Sequence, residues 1–424
     1  MSLKIEYGGN VIESRNLDNA DVLKGTEQGY RDEDPNKIMK RSISHLICRD
    51  MERSELKDNK NIGFIVNDRD RPTPTHLIFD LIFEDASWMF DRISKVHIAT
   101  GSHREPSEDE IRTILGKAYE HLHDKVHIHR ATDKEGHISY GRSSSGNELF
   151  FDRELEGHDL YFFINSVEPH YFAGFTGGRK SIHPGMAYFS TIEYNHRLAL
   201  DNASKTLELA GNPVHEDMEE AAGIFLRNRE HIAVQMVQGP EKVLTSVHIG
   251  NIFDSFYSAS RRAIEQFCIP IQKRYDIVVS VARSPMDKTL YQAQKSMENG
   301  KLALKDGGVL ILVAYCSEGI GQSKFWELLS TSNDPDEIIS RIKDGYELGY
   351  HKAAKIVQLH KRAKIMIVSS LDPAETKKVF MKGFGLLDDA LVDAISNSGK
   401  DPSILVIPNG TLTVPYINDV EGKN

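Results

Sequence analysis

Short apolar runs that alternate with longer polar segments constrain the fold of this chain more than any other feature. Each run has the length of one strand and is rich in β-branched and aromatic residues, which predicts a buried strand. The predicted strands are 61–66, 95–100 and 160–167 in the first part of the chain, and 277–282, 307–316, 364–370 and 404–408 in the second. The intervening segments predict helices at 107–124, 288–304 and 388–396, the first with a capping box of Ser107 and Glu110. Strands separated by helices indicate an α/β fold with mostly parallel sheets.

The length of the chain indicates two domains, because its 424 residues exceed the roughly 250–300 that one hydrophobic core supports. We expect an N-terminal α/β domain at 1–270 that binds a cofactor and carries catalysis. A C-terminal α/β domain is expected at 271–424, with its last residues packing back on the first domain. The two domains are expected to face each other across an active-site cleft, a usual place for a ligand.

Composition excludes several classes of partner. The net charge of −10 and the pI near 6 argue against nucleic acid and anionic membranes, which attract basic surfaces. The longest apolar run, 309–316, is far shorter than the roughly 20 residues that span a bilayer. Cys48, Cys268 and Cys316 are odd in number and widely spaced, which suits a reducing compartment. With no apolar leader at its N-terminus, the chain is predicted to be cytoplasmic.

The segment from Glu168 to His196, EPHYFAGFTGGRKSIHPGMAYFSTIEYNH, combines glycines, a lysine and histidines directly after a predicted strand. Glycines allow close backbone approach, histidine is a common metal ligand, and a lysine amine can form a covalent adduct. The combination predicts a cofactor site, with a purely structural turn as the alternative. GFTGGRKS resembles a phosphate-binding loop, but Arg179 replaces the last glycine and Pro184 follows too soon for a long helix, so NTP hydrolysis is disfavoured.

Three further stretches carry candidate site residues. The charged stretch 67–72 and the stretch 100–104 follow predicted strands, where open α/β sheets place ligands. Arginine suits a carboxylate or phosphate, and His103 lies near a helix N-terminus that keeps an imidazole neutral. Tyr291, Gln292 and Lys295 share one face of a predicted helix. Solvated loops and a solvated helix face are the alternatives.

Taken together, these motifs resemble the nickel-pincer-dependent lactate racemase family, whose members act on 2-hydroxy acids. The resemblance rests on Asp68, Arg71 and Pro72, on Gly101, His103 and Arg104, on EPHYFAGFTGGRKSI, on Asn195 and His196, and on Tyr291, Gln292 and Lys295. It runs from the first strand motif to beyond residue 350, and the central segment is its most specific part.

The resemblance implies a cofactor, Ni(II)-pyridinium-3,5-bisthiocarboxylate mononucleotide, supplied by cofactor biosynthesis proteins. Lys180 would hold this nickel-pincer nucleotide covalently, and His196 would coordinate the nickel. His103 and His170 would be the paired acid/base residues. The cofactor would be lined by Asp68, Arg69, Asp70 and Arg71, and the substrate by Arg71, Tyr291, Gln292 and Lys295.

This chemistry suits a small 2-hydroxy acid. The hydrogen on Cα is barely acidic, so hydride loss is easier if a base removes the hydroxyl proton and an electron sink accepts the hydride. A transient 2-keto acid then takes the hydride back on its other face. Two enantiomers place their hydroxyl groups differently, which calls for two histidines.

Two positions depart from the family pattern. Asp70 stands where a small hydroxyl residue is expected, and a carboxylate near a nucleotide phosphate needs Arg69 or Arg71 to neutralise it. His351 stands where lactate-acting members carry an apolar aromatic residue, which would suit a larger or more polar 2-hydroxy acid.

Two other hypotheses remain open from the residues alone. One is a zinc-dependent hydrolase that uses His103, His170 and His196 as ligands. The other is a non-catalytic protein that stores or senses the nucleotide, which would need Lys180 and the glycines but not two acid/base histidines.

Overall fold

The structure, a computed structural model, describes residues 3–23, 34–45, 61–71, 73–239 and 242–417. Cys48 and Pro72 lie outside the described residues. The strands are β1 Leu3–Tyr7, β2 Asn10–Ser14, β3 Asp21–Val22, β4 Ile62–Asn67, β5 Ile93–Ala99, β6 Val126–Ile128, β7 His137–Arg142, β8 Glu148–Asp152, β9 Leu160–Ser166, β10 Pro169–His170, β11 Gly174–Phe175, β12 Glu230–Gln238, β13 Leu244–Gly250, β14 Cys268–Ile271, β15 Tyr275–Val281, β16 Leu304–Val313, β17 Lys364–Val368, β18 Lys382–Phe384, β19 Ile404–Ile407 and β20 Val414–Ile417. The helices are α1 Pro35–His45, α2 His76–Asp85, α3 Glu108–Leu115, α4 Tyr119–Leu122, α5 Phe189–Arg197, α6 Pro213–Leu226, α7 Ile252–Phe267, α8 Leu290–Gly300, α9 Ser323–Leu329, α10 Pro335–Asp344, α11 Tyr350–His360, α12 Pro373–Lys378 and α13 Leu387–Ser396.

The chain forms two compact units. One unit comprises Gln28–Gln266, and the other combines Met1–Glu27 with Phe267–Asn424. The sequence assigned the N-terminal residues to the first domain, whereas Ile5 and Leu17 pack into the same core as strands β15 and β16 of the second unit. Burial of these apolar side chains is the physical reason why the beginning of the chain groups with its end.

The unit Gln28–Gln266 contains a six-stranded sheet in the order β13-β12-β9-β4-β5-β6. Its neighbouring strands are parallel except for the pair β12 and β13. Strand β4 is buried along its whole length, as expected for a central strand covered on both faces. The predicted strands at 61–66, 95–100 and 160–167 are confirmed as β4, β5 and β9.

The other unit contains a six-stranded sheet in the order β18-β17-β16-β15-β19-β3, in which all neighbours are parallel. The four strands predicted in this part of the chain are confirmed as β15, β16, β17 and β19. The α/β fold with mostly parallel sheets is therefore confirmed. In the described residues, no helix has the length and apolarity needed to cross a bilayer.

The helix predicted over 107–124 begins as expected but does not continue. Ser107 and Glu110 form the predicted capping box at the start of α3. The helix ends at Leu115 because Gly116 adopts a positive φ of 56° and the next backbone N–H donates to the Asp80 carboxylate instead. A short α4 follows after this break.

Candidate active site

Three adjacent strands end beside the candidate site residues. Strands β9, β4 and β5 are parallel neighbours, so their carboxyl ends lie at the same edge of the sheet. Asp68 directly follows β4, His103 follows β5 by four residues, and the segment 168–196 follows β9. The prediction that these three stretches follow strand ends is confirmed. Such an edge is where open α/β sheets bind ligands.

A tight glycine turn leads the chain into Lys180. Gly177 and Gly178 have φ values of 83° and 52°, which favour residues without a side chain. Arg179 is fully buried, and its guanidinium donates hydrogen bonds to the carbonyls of Ala173, Phe175 and Gly177. Its guanidinium therefore stabilises the turn by hydrogen bonds to backbone carbonyls. The helical turn that follows is only four residues long, Gly178–Ser181, which is shorter than the long helix that a phosphate-binding loop requires.

Lys180, His170 and His196 gather around Phe172. The Lys180 amine lies 3.4 Å from His170 Nε2 and 5.7 Å from the centroid of the Phe172 ring, and Lys180 is only 5% exposed. The Phe172 ring contacts His170 at 4.5 Å and His196 at 5.3 Å between centroids. Sequence analysis did not single out Phe172, since an aromatic residue beside a histidine has no distinctive pattern.

The His196 imidazole is held neutral. Its Nδ1–H donates to the Ile192 carbonyl at 2.9 Å in the last turn of α5, which places the ring lone pair on Nε2. Burial, together with the positive charges of Lys180 and Arg71, lowers the pKa of His196 to about 3. Arg71 therefore lies close enough to act electrostatically on His196. A neutral imidazole with a fixed tautomer is the form that binds metals.

His103 belongs to a group with two carboxylates. Its Nδ1 lies 2.7 Å from Asp68 Oδ2 and 3.6 Å from Asp70 Oδ2. The Asp68 side chain is 5% exposed, whereas that of Asp70 is 57% exposed. Donation from Nδ1–H to Asp68 orients the ring and leaves the lone pair on Nε2, which is the tautomer of a general base.

Arg69 does not neutralise Asp70 by a direct contact. Its guanidinium instead pairs with Glu110 at 2.5 Å, the carboxylate that also accepts from Arg104 at 2.6 Å. These two arginines lower the pKa of Glu110 to about 2. Arg69 and Arg71 were the two residues expected to neutralise Asp70. Arg69 instead pairs with Glu110 of the α3 capping box.

The remaining predicted site residues lie on α8 of the other unit. Tyr291 and Lys295 are half-buried, and Gln292 is exposed. Lys352, which the sequence did not single out, donates from Nζ to the Tyr291 carbonyl at 2.5 Å and lies 3.7 Å from its ring centroid. Burial and the charge of Lys295 lower the pKa of Lys352 to about 7. Only the fold brings Lys352 close to Lys295, because 57 positions separate them in the chain.

His351, also in this unit, is buried and contacts a polar side chain. Its Nδ1 lies 2.8 Å from the hydroxyl of Tyr346, which provides a polar partner for the ring. The departure at position 351 is therefore accompanied by a hydrogen bond within the same unit.

A buried polar network anchors the segment between Lys180 and His196. Asp217 accepts hydrogen bonds from Ser143, Asn147 and Asn195, and it lies 3.3 Å from His183 Nε2. Burial would raise the pKa of Asp217, but His183, Ser145 and Ser143 hold it well below its usual range. His183 thus has a structural partner in Asp217.

The three histidines of the zinc-hydrolase hypothesis do not form a metal-ligand set. Among the described residues, ligand atoms converge within 4.8 Å in two groups only, His129 with His137 and Asp152, and His103 with Asp68 and Asp70. His170 and His196 are in neither group. The geometry therefore gives this hypothesis no support.

Comparisons with known proteins show the family of the chain. Residues 10–207 match the lactate racemase N-terminal domain, and residues 271–414 match the lactate racemase C-terminal domain. The chain belongs to the lactate racemase family. It is 30% identical over 397 residues to the lactate racemase of Thermoanaerobacterium thermosaccharolyticum, covering 89% of each chain. It is 26% identical over 381 residues to that of Lactiplantibacillus plantarum, covering 88% of this chain and 89% of the relative.

A solved structure shows the same relationship. The lactate racemase apoprotein from Thermoanaerobacterium thermosaccharolyticum matches with a TM-score of 0.86 at 26% identity, covering 98% of this chain and 100% of that one. Membership of the lactate racemase family confirms the predicted class of enzyme, an isomerase that acts as a racemase.

Proposed function

We propose that this member of the lactate racemase family interconverts the stereoisomers of lactate or a related 2-hydroxy acid. In this proposal Lys180 carries the nickel-pincer nucleotide covalently, and His103 and His170 are the acid/base pair. The observation that carries the proposal is the Lys180 amine, which is buried beside His170 and shares Phe172 with His196.

The residues present fit this cofactor. His196 offers a neutral imidazole with its lone pair on Nε2, a donor that suits nickel. His170 Nδ1 accepts from the Ala173 N–H at 3.3 Å, so a neutral His170 carries its hydrogen on Nε2, facing Lys180. A neutral Lys180 amine would offer a lone pair to that hydrogen, and the neutral amine is the form that makes covalent bonds. Asp68, Arg69, Asp70 and Arg71 would line the nucleotide.

The two histidines have complementary tautomers in this structure. His103 presents a lone pair on Nε2 because Nδ1–H donates to Asp68, whereas His170 carries its hydrogen on Nε2. One ring is thus ready to accept the hydroxyl proton of a substrate, and the other is ready to donate one. When bound, the cofactor would supply a hydride acceptor for the alcohol carbon. If one histidine accepts the proton and the other returns one to the carbonyl oxygen, the product is the other enantiomer. In the opposite direction the two histidines exchange these roles.

Other residues would bind and orient the substrate. Arg71 offers a guanidinium for the substrate carboxylate, the geometry to which arginine is best suited. Tyr291, Gln292 and Lys295 are proposed to contact the substrate from α8. We further propose that the protein is cytoplasmic and depends on cofactor biosynthesis proteins for its nucleotide.

A panel of 2-hydroxy acids tests the proposal. Protein made together with the cofactor biosynthesis proteins is expected to abolish the optical rotation of a pure enantiomer of lactate or of a more polar relative. His103→Ala and His170→Ala are each expected to abolish turnover while bound nickel remains. His231→Ala is a matched control, because His231 lies in the same unit but in neither group of site residues. Interconversion that persists in both single variants would remove the two histidines from the mechanism.

A further inference from the structure

We propose that His129, His137 and Asp152 bind a structural zinc ion that is separate from the candidate active site. One ring nitrogen of each histidine and one carboxylate oxygen of Asp152 all lie within 4.8 Å of one another. The three residues are buried at the ends of β7 and β8 and just after β6. Nothing in the proposed racemase chemistry uses them.

Each of the three side chains has its other polar atom held by the protein. His129 Nε2 lies 3.1 Å from the Ala187 carbonyl, and His137 Nδ1 lies 2.5 Å from the Asp133 carbonyl. Asp152 Oδ1 accepts a hydrogen bond at 3.0 Å from the backbone N–H two residues on. Such outer partners orient metal ligands and fix the tautomers of histidines.

These outer bonds leave atoms with lone pairs facing one another. When His129 Nε2–H donates to Ala187, its Nδ1 carries a lone pair and lies 3.0 Å from Asp152 Oδ2. His137 then carries a lone pair on Nε2, a buried atom that has no hydrogen-bond partner in a side chain 8% exposed. Lone pairs that face each other at this distance require a cation or an added proton between them.

Zinc satisfies this arrangement better than a proton does. A second proton on His129 would satisfy Nδ1 and Asp152, but it would leave His137 Nε2 buried and unsatisfied at a cost in stability. A zinc ion can bind all three lone-pair donors, and two imidazoles with one carboxylate form a known zinc ligand set whose fourth position is filled by water. His127, whose Nε2 lies 2.8 Å from Asp152 Oδ2, adds a further hydrogen bond to the ligating carboxylate.

The site would brace the segment that carries Lys180 and His196. Ala187, which orients His129, lies between these two residues in the chain. The backbone N–H of Asp152 donates to the Met186 carbonyl at 2.9 Å, which joins β8 to the same segment. A zinc ion bound at Asp152 would therefore stabilise the base of the candidate active site without taking part in the reaction.

Zinc binding is measured on full-length protein made without the cofactor biosynthesis proteins and stripped with a chelator. We expect one tightly bound zinc per chain and a rise in Tm on zinc addition. His137→Gln should weaken zinc binding by more than the roughly 10- to 100-fold that loss of an outer partner costs, and it should lose the rise in Tm. His231→Gln is a matched control, because His231 also has a buried, unpartnered Nε2 but lies in no ligand cluster. His196→Gln should also retain the zinc, which separates this site from the candidate nickel ligand.

Equal zinc affinity in His137→Gln and in wild type would overturn the proposal, as would absence of zinc from wild-type protein. If His137→Gln fails to fold, as judged by circular dichroism, anomalous diffraction at the zinc edge from wild-type crystals decides. A peak between His129, His137 and Asp152 supports the site, whereas no peak or a peak only at His196 refutes it.

Discussion

Replacement of Asp68 by asparagine tests whether this carboxylate positions His103. Asp68 is buried, and its Oδ2 accepts from His103 Nδ1 at 2.7 Å. A hydrogen bond between a charged and a neutral group contributes about 1.5–3 kcal/mol. Its loss should lower kcat by about 10- to 150-fold, since about 1.4 kcal/mol corresponds to a factor of ten. KM should change little, because the substrate carboxylate is assigned to Arg71.

Asp70→Asn is the matched comparison, because Asp70 faces the same ring nitrogen. It lies 3.6 Å from His103 Nδ1 and is 57% exposed. Exposed pairs contribute less than about 1 kcal/mol, so the loss should stay below about fivefold. Polarimetry from each pure enantiomer measures both variants, and kcat/KM must fall equally in both directions because enantiomers have equal free energies. An Asp68→Asn variant within fivefold of wild type, or an Asp70→Asn variant as impaired as Asp68→Asn, would refute the reasoning.

Three predictions concern stability. Ser107→Ala removes the capping box of α3 and should lower the free energy of unfolding in urea by about 1 kcal/mol without changing kcat; no change would show that the cap contributes nothing. Asp217→Asn should cost about 3 kcal/mol or more in the same assay, because the buried network then loses its charged acceptor; a loss below 1 kcal/mol contradicts this. The pKa of His196 is about 3 in the folded protein, against an ordinary value of 6.5 in the unfolded chain. As the pH falls from about 6.5 towards 3, the unfolded chain therefore binds a proton that the folded protein does not, and the stability of cofactor-free protein decreases. His196→Gln should flatten that part of the pH profile, and an unchanged slope would contradict the assignment.

Local patterns were sufficient to predict seven strands of the two six-stranded sheets and that three of the candidate stretches follow strand ends. The apolar runs around Phe64 and Phe162 predict buried strands because burial on both faces leaves few polar positions. Parallel strands place their carboxyl ends together, so the stretches after them could be assigned to one edge without knowledge of side-chain contacts. The glycine turn before Lys180 could also be predicted, because positive φ angles such as those of Gly177 and Gly178 restrict the residue type.

Contacts between distant parts of the chain could not be predicted. Ile5 and Leu17 pack into a core whose remaining buried members begin at Ile277, and no pattern within the first 20 residues indicates that partner. The break at Gly116 depends on an acceptor at Asp80, which only the fold brings near. The convergence of His129, His137 and Asp152 and the position of Lys352 beside Tyr291 likewise depend on tertiary structure.

The measurement that tests the central proposal most directly is intact mass with peptide mapping and nickel analysis of the purified protein. Protein made with the cofactor biosynthesis proteins is expected to carry one adduct, confined to Lys180, together with one nickel per chain. Lys180→Arg, which keeps a cationic side chain but removes the amine nucleophile, is expected to carry neither. An active protein of unmodified mass, or an adduct on another residue, would contradict the account.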